Sequence, residues 1–169
     1  GRLRAALPGR RARVVEVPDL GHALPDRRVT IDLPSTIPLI EFDAVLIERV
    51  LCNLLENAAK YSPAKSPIAV TATLADGFVH VSVANEGEGF CAARPDELFG
   101  MFVRGTHESS VSGAGLGMAI CQSIIAAHGG TIRAENPPSG GARVTFALPL
   151  GSPPEIEDER QPVDGDAVG

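Results

Sequence analysis

Apolar residues recur at helical spacing in two parts of the chain. Between residues 43 and 61 they fall three and four positions apart, which is the period of an amphipathic helix. Asp43 precedes this stretch and is suited to cap its first turn. A second apolar stretch runs from 114 to 128 and ends at Gly129 and Gly130, a pattern typical of a helix C-terminus. The sequence therefore predicts two long helices.

Strands are indicated by alternating or β-branched runs bounded by turn residues. Residues 28–33 alternate apolar and polar and stop at Pro34, and Ala75, Asp76 and Gly77 form a turn signal between two β-rich runs. The predicted strands lie at 13–17, 28–33, 68–74, 78–84, 131–134 and 142–148, and a short helix is expected around 96–102. Because hairpins join some strands and helices separate others, we expect an α/β two-layer sandwich with a mixed, largely antiparallel sheet and helices on one face.

Composition favours one globular domain. The chain has 169 residues, 44% of them hydrophobic and 21% charged, which suits a single core. Residues 1–25 contain three prolines and are predicted to be a linker with a possible short strand. Residues 26–150 form the predicted domain. Residues 151–169 are acidic and rich in Pro and Gly, so we expect a disordered tail.

Charge and cysteine content exclude several classes of function. The net charge of −6 argues against a nucleic-acid binder, which normally carries a basic excess. No apolar run approaches the roughly 20 residues needed to span a bilayer, so we expect no direct membrane contact and a cytosolic location. Cys52, Cys91 and Cys121 form no CxxC pair, so the sequence indicates neither a zinc site nor a disulfide framework.

Three polar residues share one face of the first predicted helix. Asn53, Asn57 and Lys60 are four and three positions apart, so their side chains project the same way. Amide oxygens can bind a hard cation such as Mg²⁺, and a lysine can neutralise phosphate. The alternative is an ordinary solvated helix face.

Two glycine-rich segments follow. Residues 85–89 read Asn-Glu-Gly-Glu-Gly directly after a predicted strand, where glycines let the backbone approach a ligand. By itself this pattern is also that of an ordinary loop. Residues 113–117 read Gly-Ala-Gly-Leu-Gly and open a helix, whose first N–H groups can receive phosphate oxygens. The second segment lacks the Gly-Lys-Ser/Thr ending of a Walker A loop.

In this order, these segments resemble the histidine-kinase branch of the GHKL ATPase superfamily, and the resemblance runs from about 28 to 150. Residues 53–62 are similar to its asparagine box, 85–89 to its first glycine box, 98–104 to its phenylalanine box and 113–117 to its second glycine box. Residues 51–63 and 119–121 are similar to the potassium-responsive KdpD subfamily. The resemblance implies a Bergerat-type fold that binds ATP and Mg²⁺.

The resemblance also implies roles for the asparagine box and the first glycine box. Asn57, helped by Asn53, would hold the metal, and Lys60 would meet the phosphates. Tyr61 would pack near the adenine, with core packing as the alternative. In the first glycine box, Asn85 would read the adenine while Gly87 and Gly89 let the backbone approach it.

The remaining boxes are implied to surround the phosphates. Their cradle would comprise Gly113, Gly115, Leu116 and Gly117, under a lid at 105–112. Phe102 and Arg104 would fix that lid, although Phe102 also fits simple core packing.

Asn53 separates kinase from hydrolase within the superfamily. Gyrase-like members carry a glutamate there as general base, whereas an amide cannot take up a proton at neutral pH. The γ-phosphate would therefore be kept for another nucleophile. His22, His80, His107 and His128 all lack the family's phosphoacceptor context of His-Asp/Glu-x-x-x-Pro. Transfer would need the dimerisation and histidine-phosphotransfer domain of the parent protein, followed by a response regulator.

Two departures from the family pattern leave a second interpretation open. Asn85 stands where the family ordinarily has an aspartate, and Gly100 and Met101 replace an acid and a base in the phenylalanine box. The strand phase still supports the match, because Val83 and Asn85 share a face. The alternative function is a nucleotide-sensing or pseudokinase interaction module without productive phosphotransfer.

Overall fold

The computed structural model describes residues 10–16, 27–38, 40–90, 99 and 114–151. Within these residues, six strands form one sheet in the order β1-β2-β3-β4-β6-β5, and two long helices accompany them. The elements are β1 (Arg10–Glu16), β2 (Arg28–Pro34), α1 (Ala44–Lys60), β3 (Ile68–Ala75), β4 (Phe78–Asn85), α2 (Ala114–Ala127), β5 (Thr131–Glu135) and β6 (Ala142–Pro149).

The sheet is mixed but largely antiparallel, as predicted. Only the β2–β3 pair is parallel among the described strands, because α1 carries the chain back across the sheet between them. The β3–β4 hairpin turns at Asp76 and Gly77, both at positive φ, with Ala75 opposite Phe78. An Asp and a Gly at these positions suit a tight turn, since both tolerate the left-handed region.

Helix α1 begins at the predicted cap. The Leu46 N–H donates to Asp43 Oδ1 at 3.0 Å, which satisfies one of the amides left without a partner in the first turn. The far end of the helix is closed by the Tyr61 N–H, which donates to the Asn57 carbonyl at 3.0 Å.

The hydrophobic core lies between the two helices and one face of the sheet. Both helices contribute buried residues three and four apart, and alternate residues of the central strands meet them. The most buried large side chains in this layer include Val50, Cys121, Ile125 and Phe146. The two-layer sandwich with helices on one face is therefore confirmed.

Most predicted elements are found within a residue or two of their expected bounds. The strand expected at 13–17 lies instead at Arg10–Glu16, where it pairs with β2 along its whole length. Of the short helix expected around 96–102, only Phe99 is described, and it is helical and buried. Residues 105–113, the acidic tail and most of 1–25 lie outside the described residues, so their expected roles stay predictions. No helix in the described part is long and apolar enough to cross a membrane.

Candidate functional site

The first glycine segment leaves the sheet at an edge where several strand ends meet. Asn85, the last residue of β4, is paired with Ile68 at the start of β3 and with Ala142 at the start of β6. Val29 of β2 is in turn paired with Ile68. Consequently the turn after α1 and the turn before β6 both lie beside residues 86–90.

Gly87 and Gly89 are packed tightly against neighbours that lie on opposite sides of this segment. A Cβ on Gly87, whose φ is +141°, would lie 2.9 Å from the Tyr61 carbonyl oxygen. A Cβ on Gly89, whose φ is +82°, would lie 2.7 Å from Asn136 Oδ1 and 2.8 Å from the Gly141 carbonyl oxygen. Real Cβ atoms do not approach backbone this closely, so the fold itself requires glycine at both positions.

Asn136 holds the end of this segment, although it belongs to none of the sequence motifs. The Phe90 N–H donates to Asn136 Oδ1 at 2.8 Å, and Asn136 Nδ2 donates to the Phe90 carbonyl at 3.0 Å. The Gly141 N–H also donates to the Gly87 carbonyl at 3.1 Å. Asn136 precedes two prolines and looks like a turn residue, so only its three-dimensional neighbours disclose the contact.

Arg27 holds the neighbouring turn and was also missed. Its guanidinium donates to the Ala59 carbonyl at 2.7 Å, the Pro63 carbonyl at 2.7 Å and Ser62 Oγ at 2.8 Å. The same group reaches the carbonyl and hydroxyl oxygens of Ser66 at 3.3 Å. A cation at the C-terminal end of α1 also meets the negative end of the helix dipole.

Asn53 lies between the helices, beside the second glycine segment. A Cβ on Gly117 would lie 3.5 Å from Asn53 Oδ1, an ordinary van der Waals distance. Asn53 is half-buried, so an ordinary solvated face does not describe it. Beneath it lies Cys121, whose thiol donates weakly to the Val50 carbonyl at 3.9 Å. Burial raises the pKa of Cys121 to about 11, which keeps this thiol protonated and unreactive.

The C-terminal end of α1 carries the other asparagine-box residues. Asn57 is half-buried, and the Lys60 ammonium lies 5.4 Å from the centre of the Tyr61 ring, within cation–π range. Tyr61 is 42% exposed, so the core-packing alternative is wrong for this residue. Tyr61 is eight positions after Asn53, which corresponds to about 12 Å along a helix. The two glycine segments thus contact the two ends of this stretch, at points separated by roughly the length of one nucleotide.

The Asn85 amide is oriented by its own loop. Nδ2 donates to the Glu86 carbonyl at 3.0 Å, which leaves Oδ1 as the acceptor to offer to a ligand. Asn85 follows Val79 and Val83, which are both buried on the helix-covered face of β4. The predicted strand phase is therefore confirmed, since alternation along β4 places Asn85 on the same face of the sheet as Val83.

The phosphate cradle is described only in part. Leu116 and Gly117 lie in the first turn and a half of α2, and Leu116 is 58% exposed. Gly115 is also in this helix, whereas Gly113, Phe102 and Arg104 lie outside the described residues. Their roles stay predictions.

The two described histidines have different places in the structure: one caps a helix, and the other lies on the far face of the sheet. The Asp43 N–H donates to His128 Nε2 at 3.0 Å, so the proton on Nδ1 faces the Ile124 carbonyl at 2.7 Å. His128 therefore caps α2 and ties it to the start of α1. His80 lines a cavity of about 480 Å³ on the other face of the sheet, together with Arg133 and Thr145. None of the motif residues that the structure describes lines that cavity.

Comparison with known proteins identifies this arrangement. Residues 42–152 match the family model described as histidine kinase-, DNA gyrase B-, and HSP90-like ATPase. That is well over half of the chain. The chain belongs to this ATPase family. The members of this family that it is similar to include proteins named as sensor kinases.

Sensor protein KdpD of Escherichia coli (strain K12) is 42% identical over 130 residues, which cover 77% of this chain and 14% of KdpD. Adaptive-response sensory kinase SasA of Synechocystis is 35% identical over 123 residues, covering 72% of this chain and 32% of SasA. The chain thus spans a small part of the relatives it matches. The KdpD resemblance is confirmed at the level of similarity.

Solved structures agree with the fold. Full-length ShkA in complex with AMPPNP superposes with a TM-score of 0.62 at 30% identity, covering 75% of this chain and 26% of ShkA. The catalytic domain of histidine kinase ThkA superposes with a TM-score of 0.55 at 32% identity, covering 65% of this chain and 70% of the ThkA chain.

Proposed function

We propose that this domain binds Mg²⁺-ATP along α1 and donates the γ-phosphate to a histidine on a separate dimerisation domain of its parent protein. The supporting observation is the meeting of three sequence motifs on one helix. Gly117 faces Asn53 at one point of α1, and Gly87 faces Tyr61 about 12 Å further on. A nucleotide laid along this line would meet all three motifs.

The adenine end lies at Asn85 and Tyr61 in this proposal. The Asn85 Oδ1 atom is an acceptor, and the adenine amine is a donor that needs one. Gly87 and Gly89 keep side chains away from the base, and the half-exposed Tyr61 ring offers it an apolar surface.

The phosphate end lies at the start of α2. Its first N–H groups and its dipole favour an anion, and Gly113, Gly115, Leu116 and Gly117 would surround the phosphates. Lys60 would neutralise charge. Phe102 and Arg104 would fix the lid over 105–112.

The donor set fits Mg²⁺ bound through the nucleotide. Among the described residues, no three His, Cys, Asp or Glu side chains group as metal ligands. The Asn53 amide oxygen, however, faces the side-chain-free surface of Gly117. Mg²⁺ commonly takes one or two protein oxygens, substrate phosphates and water. Asn53 and Asn57 would supply those protein oxygens.

Transfer to a partner, not hydrolysis, follows from the same residues. Asn53 cannot act as a base towards water. His128 is occupied as a helix cap, and His80 lies on the opposite face of the sheet. The phosphoacceptor would be the dimerisation and histidine-phosphotransfer domain, with a response regulator downstream. We place this domain on the cytosolic side of a membrane-anchored parent.

A titration of the chain with ATP and Mg²⁺ tests the proposal. We expect binding that weakens when Mg²⁺ is chelated, and almost no phosphate release or self-phosphorylation. Phosphate release that survives Asn53→Ala would contradict a kinase half. Failure to bind any nucleotide would leave the interaction module, which the departures from the family pattern at Asn85, Gly100 and Met101 favour.

A further inference from the structure

The Asn136 side chain is bonded to the backbone of Phe90 as a neighbouring strand would be. It accepts from the Phe90 N–H at 2.8 Å and donates to the Phe90 carbonyl at 3.0 Å. Asn136 and Phe90 are 46 positions apart in the sequence. A single amide group thus replaces a pair of ladder hydrogen bonds at the point where residues 86–90 leave the sheet.

The Asn136 side chain also bounds residues 86–90 on one side. Asn136 Oδ1 would lie 2.7 Å from a Cβ on Gly89, so it abuts the backbone directly. The Gly141 N–H fixes the Gly87 carbonyl from the same side at 3.1 Å. On the opposite side, the Tyr61 carbonyl would lie 2.9 Å from a Cβ on Gly87. Residues 86–90 therefore lie between two walls, and Asn136 belongs to one of them.

We infer that Asn136 is a positioning residue for base recognition. It fixes residues 86–90 so that Asn85 Oδ1 already faces the adenine amine before nucleotide arrives. The link runs through the backbone of residues 86–90, because Asn85 Nδ2 is bonded to the Glu86 carbonyl at the start of the segment that Asn136 holds at its end. A shift of the segment would move the reading atom with it. Preorganisation of this kind raises affinity by lowering the ordering cost of binding. This inference rests on the proposed function.

The variant that tests it is Asn136→Asp. The shape is kept, and one carboxylate oxygen can still accept from the Phe90 N–H. The other oxygen faces the Phe90 carbonyl and repels it, since an ionised carboxylate has no proton to donate. The matched control is Ser139→Asp, which adds the same charge at an exposed position of the same turn.

Calorimetry with two nucleotides provides a readout that general destabilisation would not move. ATP is compared with purine riboside 5′-triphosphate, which lacks only the 6-amino group. We expect the wild-type chain to prefer ATP. In Asn136→Asp, ATP affinity should fall about tenfold while the second nucleotide loses much less, so that the preference nearly disappears. Ser139→Asp should keep both wild-type affinities.

The outcomes separate this inference from the proposed function. A wild-type chain that binds neither nucleotide, or both equally, contradicts the proposed site itself. A wild-type preference that survives Asn136→Asp overturns the positioning role, as does an equal loss for both nucleotides or the same effect from Ser139→Asp.

A measurement on the wild-type chain covers the case in which Asn136→Asp does not fold. The Phe90 amide should exchange slowly with solvent deuterium in the absence of nucleotide, because its partner is Asn136. Exchange at the rate of an unprotected amide would overturn the inference.

Discussion

The two glycine segments of the nucleotide site differ in what surrounds them. At Gly87 and Gly89, a Cβ would collide with backbone or with a bonded amide at 2.7 to 2.9 Å. At Gly117, the nearest described atom to a Cβ would be Asn53 Oδ1 at 3.5 Å, an ordinary van der Waals contact without a clash. The first segment therefore has no space for a side chain, whereas the second has space that the described part of the protein leaves unfilled.

Glycine is therefore present in the two segments for two different reasons. The protein's own packing requires Gly87 and Gly89, at the end of the site that is proposed to hold the adenine. Packing does not require Gly117, and glycine inside a helix costs roughly 1 kcal/mol relative to alanine. A glycine kept at that cost, facing an amide oxygen, is consistent with space reserved for the phosphates and metal.

The largest effect is expected where the adenine end is tightest, at Gly141. A Cβ there would overlap the Asn85 carbonyl oxygen and lie 3.2 Å from Glu86 Cα. We expect Gly141→Ala to lower the free energy of unfolding by about 4 kcal/mol or more, or to prevent folding. Urea unfolding measures this change.

Gly140 supplies a matched control for Gly141. Its φ is +89° against +80° for Gly141, but nothing lies within 4 Å of its Cβ position. Gly140→Ala should therefore cost only the backbone term of about 1–2 kcal/mol. Similar losses for the two variants would show that the adenine end is not sterically closed.

A smaller loss is expected at Arg27, which supports the turn behind Gly87. Arg27→Ala leaves the Ala59 and Pro63 carbonyls without their charged donor, so the free energy of unfolding should fall by about 3 kcal/mol. Arg28→Ala, at the exposed neighbouring position, should change it by less than about 0.5 kcal/mol. If the two variants lose the same stability in thermal or urea unfolding, Arg27 does not support this end of the site.

Gly117→Ala tests the other end and should separate stability from binding. Because the helix gains a better former and the Cβ meets nothing closely, unfolding stability should stay the same or rise by up to about 1 kcal/mol. Affinity for Mg²⁺-ATP should nevertheless fall about tenfold, or about 1.4 kcal/mol, since the methyl group fills the space before Asn53. Calorimetry beside urea unfolding gives both values. If the affinity is unchanged, the ligand does not require glycine at position 117.

The smallest effect is expected at Asn85. Asn85→Asp replaces a neutral acceptor by a charged one, so ATP affinity should rise by about 1 kcal/mol, or several-fold. Loss of the hydrogen bond from Nδ2 to the Glu86 carbonyl should offset part of this gain. GTP should stay a weak ligand, because guanine presents a carbonyl at the corresponding place. If calorimetry shows unchanged or lower ATP affinity, Asn85 does not read the adenine.

Much of the fold could be predicted because it depends on local pattern. The α1 cap at Asp43, the turn at Asp76 and Gly77, and the end of α2 before Gly129 each follow from residues close in sequence. Part of the site was likewise found from spacing, whereas Tyr61, Phe102, Arg104 and the role of Asn85 were implied only by the family resemblance. Helical periodicity alone places Asn53, Asn57 and Lys60 on one helix face. The glycine segments indicate that the backbone approaches a neighbour or a ligand closely.

What the tertiary structure alone decided is which residues support that site. Arg27 bonds to Ala59 across 32 positions, and Asn136 bonds to Phe90 across 46. Neither contact repeats along the chain, so neither leaves a periodic signal. The distinction between the closed glycines and Gly117 also arises only when β4, β6 and the two helices are brought together. The sequence by itself determined the elements and the chemistry they carry, because both depend on neighbouring residues; the packing around them depends on distances that no local pattern encodes.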